Sequence, residues 1–201
     1  FRKKYNLDDD EIAIGIVGRL VPVKNHNLFL EGIKIVSEKT SKKVRAFIIG
    51  DGESRQAIEQ KATELNIPFV DATKSNEKAL LTFTSWIKEI DEVLAGIDII
   101  ALTSFNEGTP VSLIEAQAAN KPIVTTNVGG IENIVLVGKT ALLCKNNDYD
   151  DFANQLIKLI CDDNLRQSLS SSGWSFVKEK YHYTRLVKDM EHLYRKLLTS
   201  K

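Results

Sequence analysis

Two glutamates eight positions apart, Glu107 and Glu115, bracket the stretch Thr103-Ser104-Phe105-Asn106-Glu107-Gly108-Thr109-Pro110-Val111-Ser112-Leu113-Ile114-Glu115-Ala116. Ionised carboxylates only accept hydrogen bonds and sugar hydroxyls donate them, so one Glu can take a ribose and the other a transferred sugar. Between them Pro110 fits a first helical position and pushes Thr109 toward extended backbone, where its hydroxyl can cap. The amides of Val111, Ser112 and Leu113 are then expected to be unpaired. A helix start with free N–H donors attracts the phosphate of a nucleotide, and Gly108 keeps the approach open. Glu115 lies among Leu113, Ile114, Ala116 and Ala118, where a buried carboxylate needs donors. The plainer alternative is a dipole-favoured Glu107 and an exposed Glu115.

A second candidate is Gly18-Arg19-Leu20-Val21-Pro22-Val23-Lys24-Asn25, two cations on one short loop opened by a glycine. The planar fork of Arg19 and the point charge of Lys24 both suit a diphosphate, and a solvated basic loop fits the same residues. Trp86 closes the apolar run that holds Thr82-Phe83-Thr84-Ser85, and its ring can meet a nucleobase or join the core. Gly50-Asp51-Gly52 lacks the spacing of a dinucleotide fingerprint, and Gly129-Gly130 reads as a tight turn into a helix. His26, His182 and His192 have no carboxylate at a dyad or zinc spacing and are read as surface. Cys144 and Cys161 have no metal-ligand spacing and are expected as buried thiols. No metal site is expected.

These residues need elements to hold them. Short β-branched apolar runs at 12–18, 44–50, 80–86, 97–103, 122–127 and 141–144 alternate with helical patterns at 25–38, 54–65, 89–95, 110–119 and 131–137. Such alternation predicts a doubly wound parallel α/β sheet of about six strands, Rossmann-like, with helices on both faces. Runs apolar without interruption suit strands buried on both sides. Beyond residue 149 the pattern is helical only, at 152–161, 165–180 and 185–198, a C-terminal cap. Ligands of such sheets bind beyond the carboxyl ends of the strands, where both candidate loops fall.

Lys plus Arg and Asp plus Glu number 27 each, so no global field draws the chain to nucleic acid or an acidic membrane. At 201 residues and 43% hydrophobic, the chain suits one core. No run approaches the ~20 apolar residues of a membrane span. Phe1 opens the sequence and the sole methionine is Met190, so a piece of a longer protein is expected, with residues 1–11 a tether from a preceding domain. A cytoplasmic location is expected, at the inner face of a membrane in the parent protein.

Gly18-Arg19-Leu20 with Lys24, Gly50-Asp51-Gly52, Ser104 to Glu115 with its two glutamates, and Gly129-Gly130, in this order, resemble the C-terminal domain of family 4 glycosyltransferases. The resemblance runs by motif from about residue 10 to about residue 145. It implies one half of a GT-B enzyme, two Rossmann-like domains facing a cleft, with 12–201 the nucleotide-sugar-binding half and the acceptor domain absent. By resemblance Arg19 and Lys24 contact the diphosphate, Glu115 the ribose and Glu107 the donor sugar. The resemblance also implies transfer with retention, no metal, a last helix that crosses to the other domain, and a glycan or lipid-linked acceptor. A UDP-sugar is the expected donor. The Thr103–Pro110 stretch looks most like that of bacterial enzymes building surface polysaccharides, and the fragment alone is expected not to transfer sugar. Asn120-Lys121 stands where many relatives have a glycine. The rival readings are a non-hydrolysing sugar-nucleotide epimerase and a non-catalytic nucleotide-binding module. A dehydrogenase is set aside because the first strand leads into no glycine fingerprint.

Overall fold

The computed structural model describes residues 1–199. Residues 200 and 201, within the domain expected over 12–201, lie outside the described residues. Seven strands form one wholly parallel sheet: β1 (Ile12–Val17), β2 (Val44–Ile49), β3 (Phe69–Asp71), β4 (Leu81–Ser85), β5 (Ile99–Leu102), β6 (Ile123–Thr126) and β7 (Ala141–Cys144). Their order, β3-β4-β2-β1-β5-β6-β7, reverses direction at β1, so the topological switch lies between β1 and β5. The sheet has one strand more than expected. β3 is three residues long, following Pro68, too short to carry a period of its own.

Helices cover both faces: α1 (His26–Lys39), α2 (Arg55–Glu64), α3 (Ile90–Gly96), α4 (Val111–Ala118), α5 (Ile131–Ile134), α6 (Tyr149–Cys161), α7 (Asp163–Leu169), α8 (Gly173–Tyr181) and α9 (Tyr183–Thr199). Alternate strand residues feed two cores, because successive side chains leave opposite faces. Ile14, Ile16 and Ile48 pack with α1 and α6 through Phe29 and Phe152, while Phe47, Ile49 and Ile100 pack with α3 and α4 through Val93 and Leu113. The helix expected over 165–180 is two helices, α7 and α8, broken at Ser170-Ser171-Ser172. The start of α8 lies against α4: a β-carbon at Gly173 would meet the Gln117 carbonyl at 2.4 Å. Asn120 adopts φ 53, in the left-handed region that favours glycine and asparagine, and its Oδ1 accepts from the Trp174 amide at 2.9 Å.

Residues 1–11, expected as a tether, pack against this domain. The Phe1 and Tyr5 rings lie 5.1 and 5.6 Å from that of Phe47, Tyr5 and Leu7 are buried, and Arg2 pairs with Asp98 at 3.1 Å. α9 buries none of its side chains and shows an apolar stripe of Tyr183, Leu186, Val187, Met190, Leu193, Tyr194 and Leu197. No helix among the described residues is long and apolar enough to cross a membrane.

Two expectations for single residues fail. Cys161, at the end of α6, is exposed, whereas Cys144 is buried as expected and burial pushes its thiol up to about 12. His26 is buried, not surface: it is the first residue of α1, beneath the loop after β1, and desolvation lowers its pKa to about 4, with Lys24 adding to the shift. The period of α1 placed its apolar residues but gave no reason to bury an imidazole ahead of them.

α4 is also fixed by a polar side chain in the core. Gln117 Nε2 donates to the carbonyls of Leu113 and Ile134 at 3.1 and 2.8 Å, and its Oε1 accepts from Thr140 Oγ1 at 2.8 Å. Gln117→Met keeps the volume but strips partners from the Ile134 carbonyl and the Thr140 hydroxyl. It is expected to lower stability by about 1–3 kcal/mol, read as a lower urea midpoint at unchanged slope. His26 gives a pH dependence of defined sign. Its folded pKa lies below the unfolded one, so the unfolded chain binds the extra proton and stability falls as pH drops from about 6.5 through about 4. Melting temperatures across that window are expected to fall more steeply in the wild type than in His26→Gln, and equal slopes would remove His26 as the cause.

Candidate functional site

The loops after β1 and β5 leave the sheet on either side of the switch point, the place where an open parallel sheet holds its ligand. Backbone contacts lock them together. The Phe105 amide donates to the Val23 carbonyl at 2.8 Å and Thr103 Oγ1 to the Lys24 carbonyl at 3.0 Å. On one side, the Leu20 amide reaches the Asp51 carbonyl at 3.0 Å, and a β-carbon on Gly50 would lie 1.9 Å from the Gly18 carbonyl oxygen. On the other, the Gly130 amide donates to the Glu107 carbonyl at 2.8 Å. β-carbons on Gly129 and Gly130 would lie 2.1 and 2.3 Å from the carbonyl oxygens of Glu107 and Gly108. Neither glycine pair needs to touch a ligand to matter: each lets a neighbouring loop lie against the candidate residues.

At the centre of these loops Lys24 Nζ and Glu107 Oε1 form an ion pair at 2.6 Å, with side chains 21% and 11% exposed. The same oxygen accepts from Ser104 Oγ at 2.6 Å. Ser104 is fully buried, and its carbonyl accepts from Thr126 Oγ1 at 2.7 Å, so β6 helps to aim it. Arg19, on the same loop as Lys24, is exposed, and its guanidinium has no partner among the described residues. A cation free to move and a second held by a carboxylate thus stand at one rim.

α4 begins one residue later than expected. Pro110 is its N-cap, in extended backbone, and Val111 its first residue, while Thr109 is exposed and makes no cap hydrogen bond. The Pro110 carbonyl accepts from the Leu113 amide at 3.1 Å and from Ile114 at 3.4 Å, so Leu113, expected free, is engaged. The amides of Val111 and Ser112 have no acceptor among the described residues and carry the positive end of the helix dipole. A β-carbon at Gly108 would meet nothing within 4 Å, so the approach to these amides is open.

The two glutamates have different surroundings. Glu115 is half-buried in a groove of about 520 Å³ between α3 and α4, among Ile90, Leu94, Ala95 and Ala118. Burial raises its carboxyl above the ordinary value, and no donor among the described residues reaches it. Glu107 is engaged; Glu115 is not. Trp86 is 61% exposed beyond β4, just after Ser85, whose φ of 59 and hydroxyl bond to Asp51 at 3.0 Å turn the chain outward. It does not join the core. A cavity of about 380 Å³ at the ends of β2, β3 and β4 is lined by the carboxylates of Asp51, Glu53, Glu59 and Asp71 and by Arg55 and Lys74, which pair with Glu59 and Asp71, so the lining keeps a net negative charge that disfavours a polyanion.

Two residues here escaped the sequence analysis. Ser104 sits three before Glu107, near enough along one turn for its hydroxyl to donate to the carboxylate. Asn25 takes φ 46 between a short helical turn at Pro22–Lys24 and α1, and its buried Nδ2 has no acceptor; only the asparagine's tolerance of that region was a signal. Among the described residues no three of His, Cys, Asp and Glu converge as a metal-binding group.

The chain is similar in sequence and in fold to known proteins. The capsular polysaccharide biosynthesis glycosyltransferase CapM of Staphylococcus aureus is 26% identical over 199 residues, covering 98% of this chain and 49% of CapM. The UDP-Gal:alpha-D-GlcNAc-diphosphoundecaprenol alpha-1,3-galactosyltransferase of Escherichia coli is 26% identical over 200 residues, 99% of this chain and 49% of that enzyme. The chain therefore spans about half the length of the curated relatives it matches. Among solved structures, Anabaena HepE in complex with UDP superposes with a TM-score of 0.83 at 18% identity, over 97% of this chain and 51% of HepE. The C-terminal domain of a group 1 family glycosyl transferase from Francisella tularensis does so at 0.70 and 24% identity, over 85% of this chain and 86% of that one. These likenesses show the Rossmann-like half of a GT-B fold. The family model for group 1 glycosyl transferases matches residues 1–174, and the chain belongs to that family.

Proposed function

We propose that this chain is the donor-binding half of a retaining, metal-independent family 4 glycosyltransferase that takes a UDP-sugar. The observation that carries the reading is the grouping of Arg19, Lys24 and the open amides of Val111 and Ser112 around the switch point, with Glu107 beside Lys24. The diphosphate sits against Arg19, Lys24 and the start of α4, where preorganised positive charge also stabilises the leaving group. Glu115 accepts from ribose hydroxyls, donors that its carboxylate lacks without ligand. Glu107 accepts from the transferred sugar, Gly108 and Thr109 border it, the Leu113 backbone closes the first turn, and Trp86 lies beside the base. The uridine nucleotide is supported by the UDP held by HepE and the UDP-Gal that the Escherichia coli relative uses.

The acceptor, a glycan or lipid-linked sugar of a surface polysaccharide, belongs to the half of the enzyme that lies beyond this chain. We assign that half as the cover of the apolar stripe of α9. Sugar transfer then needs both halves, and the whole enzyme works in the cytoplasm at the inner face of the membrane, where a lipid-linked acceptor is within reach. Neither an epimerase nor a non-catalytic module is favoured by the relatives, which are glycosyltransferases.

Calorimetric titration of this chain with UDP, GDP and ADP, without metal, tests the reading. Saturable binding of UDP is expected, weakened about tenfold to a hundredfold in Glu115→Ala by loss of charged hydrogen bonds. Equal UDP affinity in the variant would dismiss the ribose role. Gly130→Ala separates loop packing from contact. Gly130 has an ordinary φ of −85, so an added methyl acts only by pushing the Gly108 carbonyl away. UDP affinity is expected to drop about threefold to thirtyfold, a displacement of the phosphate amides rather than a lost contact.

A further inference from the structure

We infer that the Lys24–Glu107 ion pair is a resting latch on the diphosphate site, opened by the donor and closed again as the nucleoside diphosphate leaves. The inference rests on the donor-site reading above and goes beyond it by giving Glu107 a role opposed to nucleotide binding.

Lys24 cannot serve two anions at full strength. At 2.6 Å from Glu107, and with both side chains mostly buried, its ammonium is held more tightly than an exposed pair would be. Its ammonium has three donors, but a diphosphate that draws it toward Arg19 competes with Glu107 for the same charge and weakens the pair. The space for that movement is present: around the position of a β-carbon on Gly18, its chain neighbours apart, Lys24 Cε at 3.7 Å is the only atom of the described residues within 4 Å. Glu107 loses its cation in the exchange but keeps the Ser104 hydroxyl, which holds the same oxygen from a fully buried position. Ser104 is thus a positioning residue that keeps the carboxylate aimed after Lys24 has moved.

The exchange distinguishes the intact donor from the product. With a sugar attached, hydroxyl donors take the acceptor positions that Lys24 vacates, and the ion pair lost is matched on both sides. With the nucleoside diphosphate alone, Glu107 is left a half-satisfied carboxylate near two phosphates, and re-forming the pair with Lys24 favours release. The latch therefore makes Glu107 a specificity-determining residue for donor over product, a difference of affinities built partly from repulsion.

The test is titration of the full chain with UDP, comparing wild type, Glu107→Gln, Lys24→Met and the double variant, with thermal melts to confirm that each folds. Gln keeps the shape and the acceptor for Ser104 and removes the charge. Glu107→Gln is expected to bind UDP about threefold to tenfold more tightly than wild type, and the gain is expected to vanish when Lys24 is already Met. Unchanged or weaker UDP binding in Glu107→Gln, with Glu115→Ala and Lys24→Met both weakening it, overturns the latch and leaves the donor site standing. If UDP binds to none of the folded variants, the donor-site reading falls and the latch with it.

Discussion

At the carboxyl edge of the sheet, the backbones of four loops meet at separations that leave no room for a β-carbon. Gly50 lies on Gly18, and Gly129 and Gly130 lie on Glu107 and Gly108. Everything assigned to ligand chemistry hangs from these contacts. They hold the loop after β1 against that after β2 and the loop after β5 against that after β6, while the Phe105–Val23 and Thr103–Lys24 hydrogen bonds join the two pairs and bring Lys24 to Glu107 across a separation of eighty-three residues. A larger residue at Gly50, Gly129 or Gly130 would move carbonyl oxygens that aim the neighbouring side chains, at a cost paid first in geometry and only then in stability.

The helix that offers its amides is positioned with the same economy of contacts. α4 is pressed by the start of α8 through Gly173 and anchored by Gln117, two of whose three hydrogen bonds tie it to Ile134 at the end of α5 and to Thr140 ahead of β7. Its N-terminus therefore points at the switch point from a fixed base, which a site relying on preorganised dipoles requires. The C-terminal helices are thus more than a cap: α8 belongs to the machinery that aims α4, while α9 presents its apolar stripe to whatever lies beyond.

Much of this was legible in the sequence. The apolar runs gave six of seven strands, because strands buried on both faces write continuous hydrophobic stretches; β3, three residues at the sheet's edge, has no room to write one. The Ser104–Glu115 stretch announced a loop and a helix start, but it misplaced the cap by one residue, since Pro110 itself supplies the carbonyl that Leu113 and Ile114 share. His26 was read as surface because burial of an imidazole depends on the loop folded above it, a long-range fact. Ser104 and Gln117 were silent for the same reason. Their partners, Glu107 and Leu113 apart, lie on other elements, and no local period encodes a hydrogen bond between distant turns.

The measurement that bears most directly on the donor site is a crystal structure of this chain grown with UDP. The account places the diphosphate within about 3 Å of the Lys24 ammonium and the Val111 and Ser112 amides, with Arg19 folded over it and the ribose against Glu115. A nucleotide seated instead in the cavity by Asp51, Arg55 and Asp71, with Lys24 still on Glu107, would contradict it.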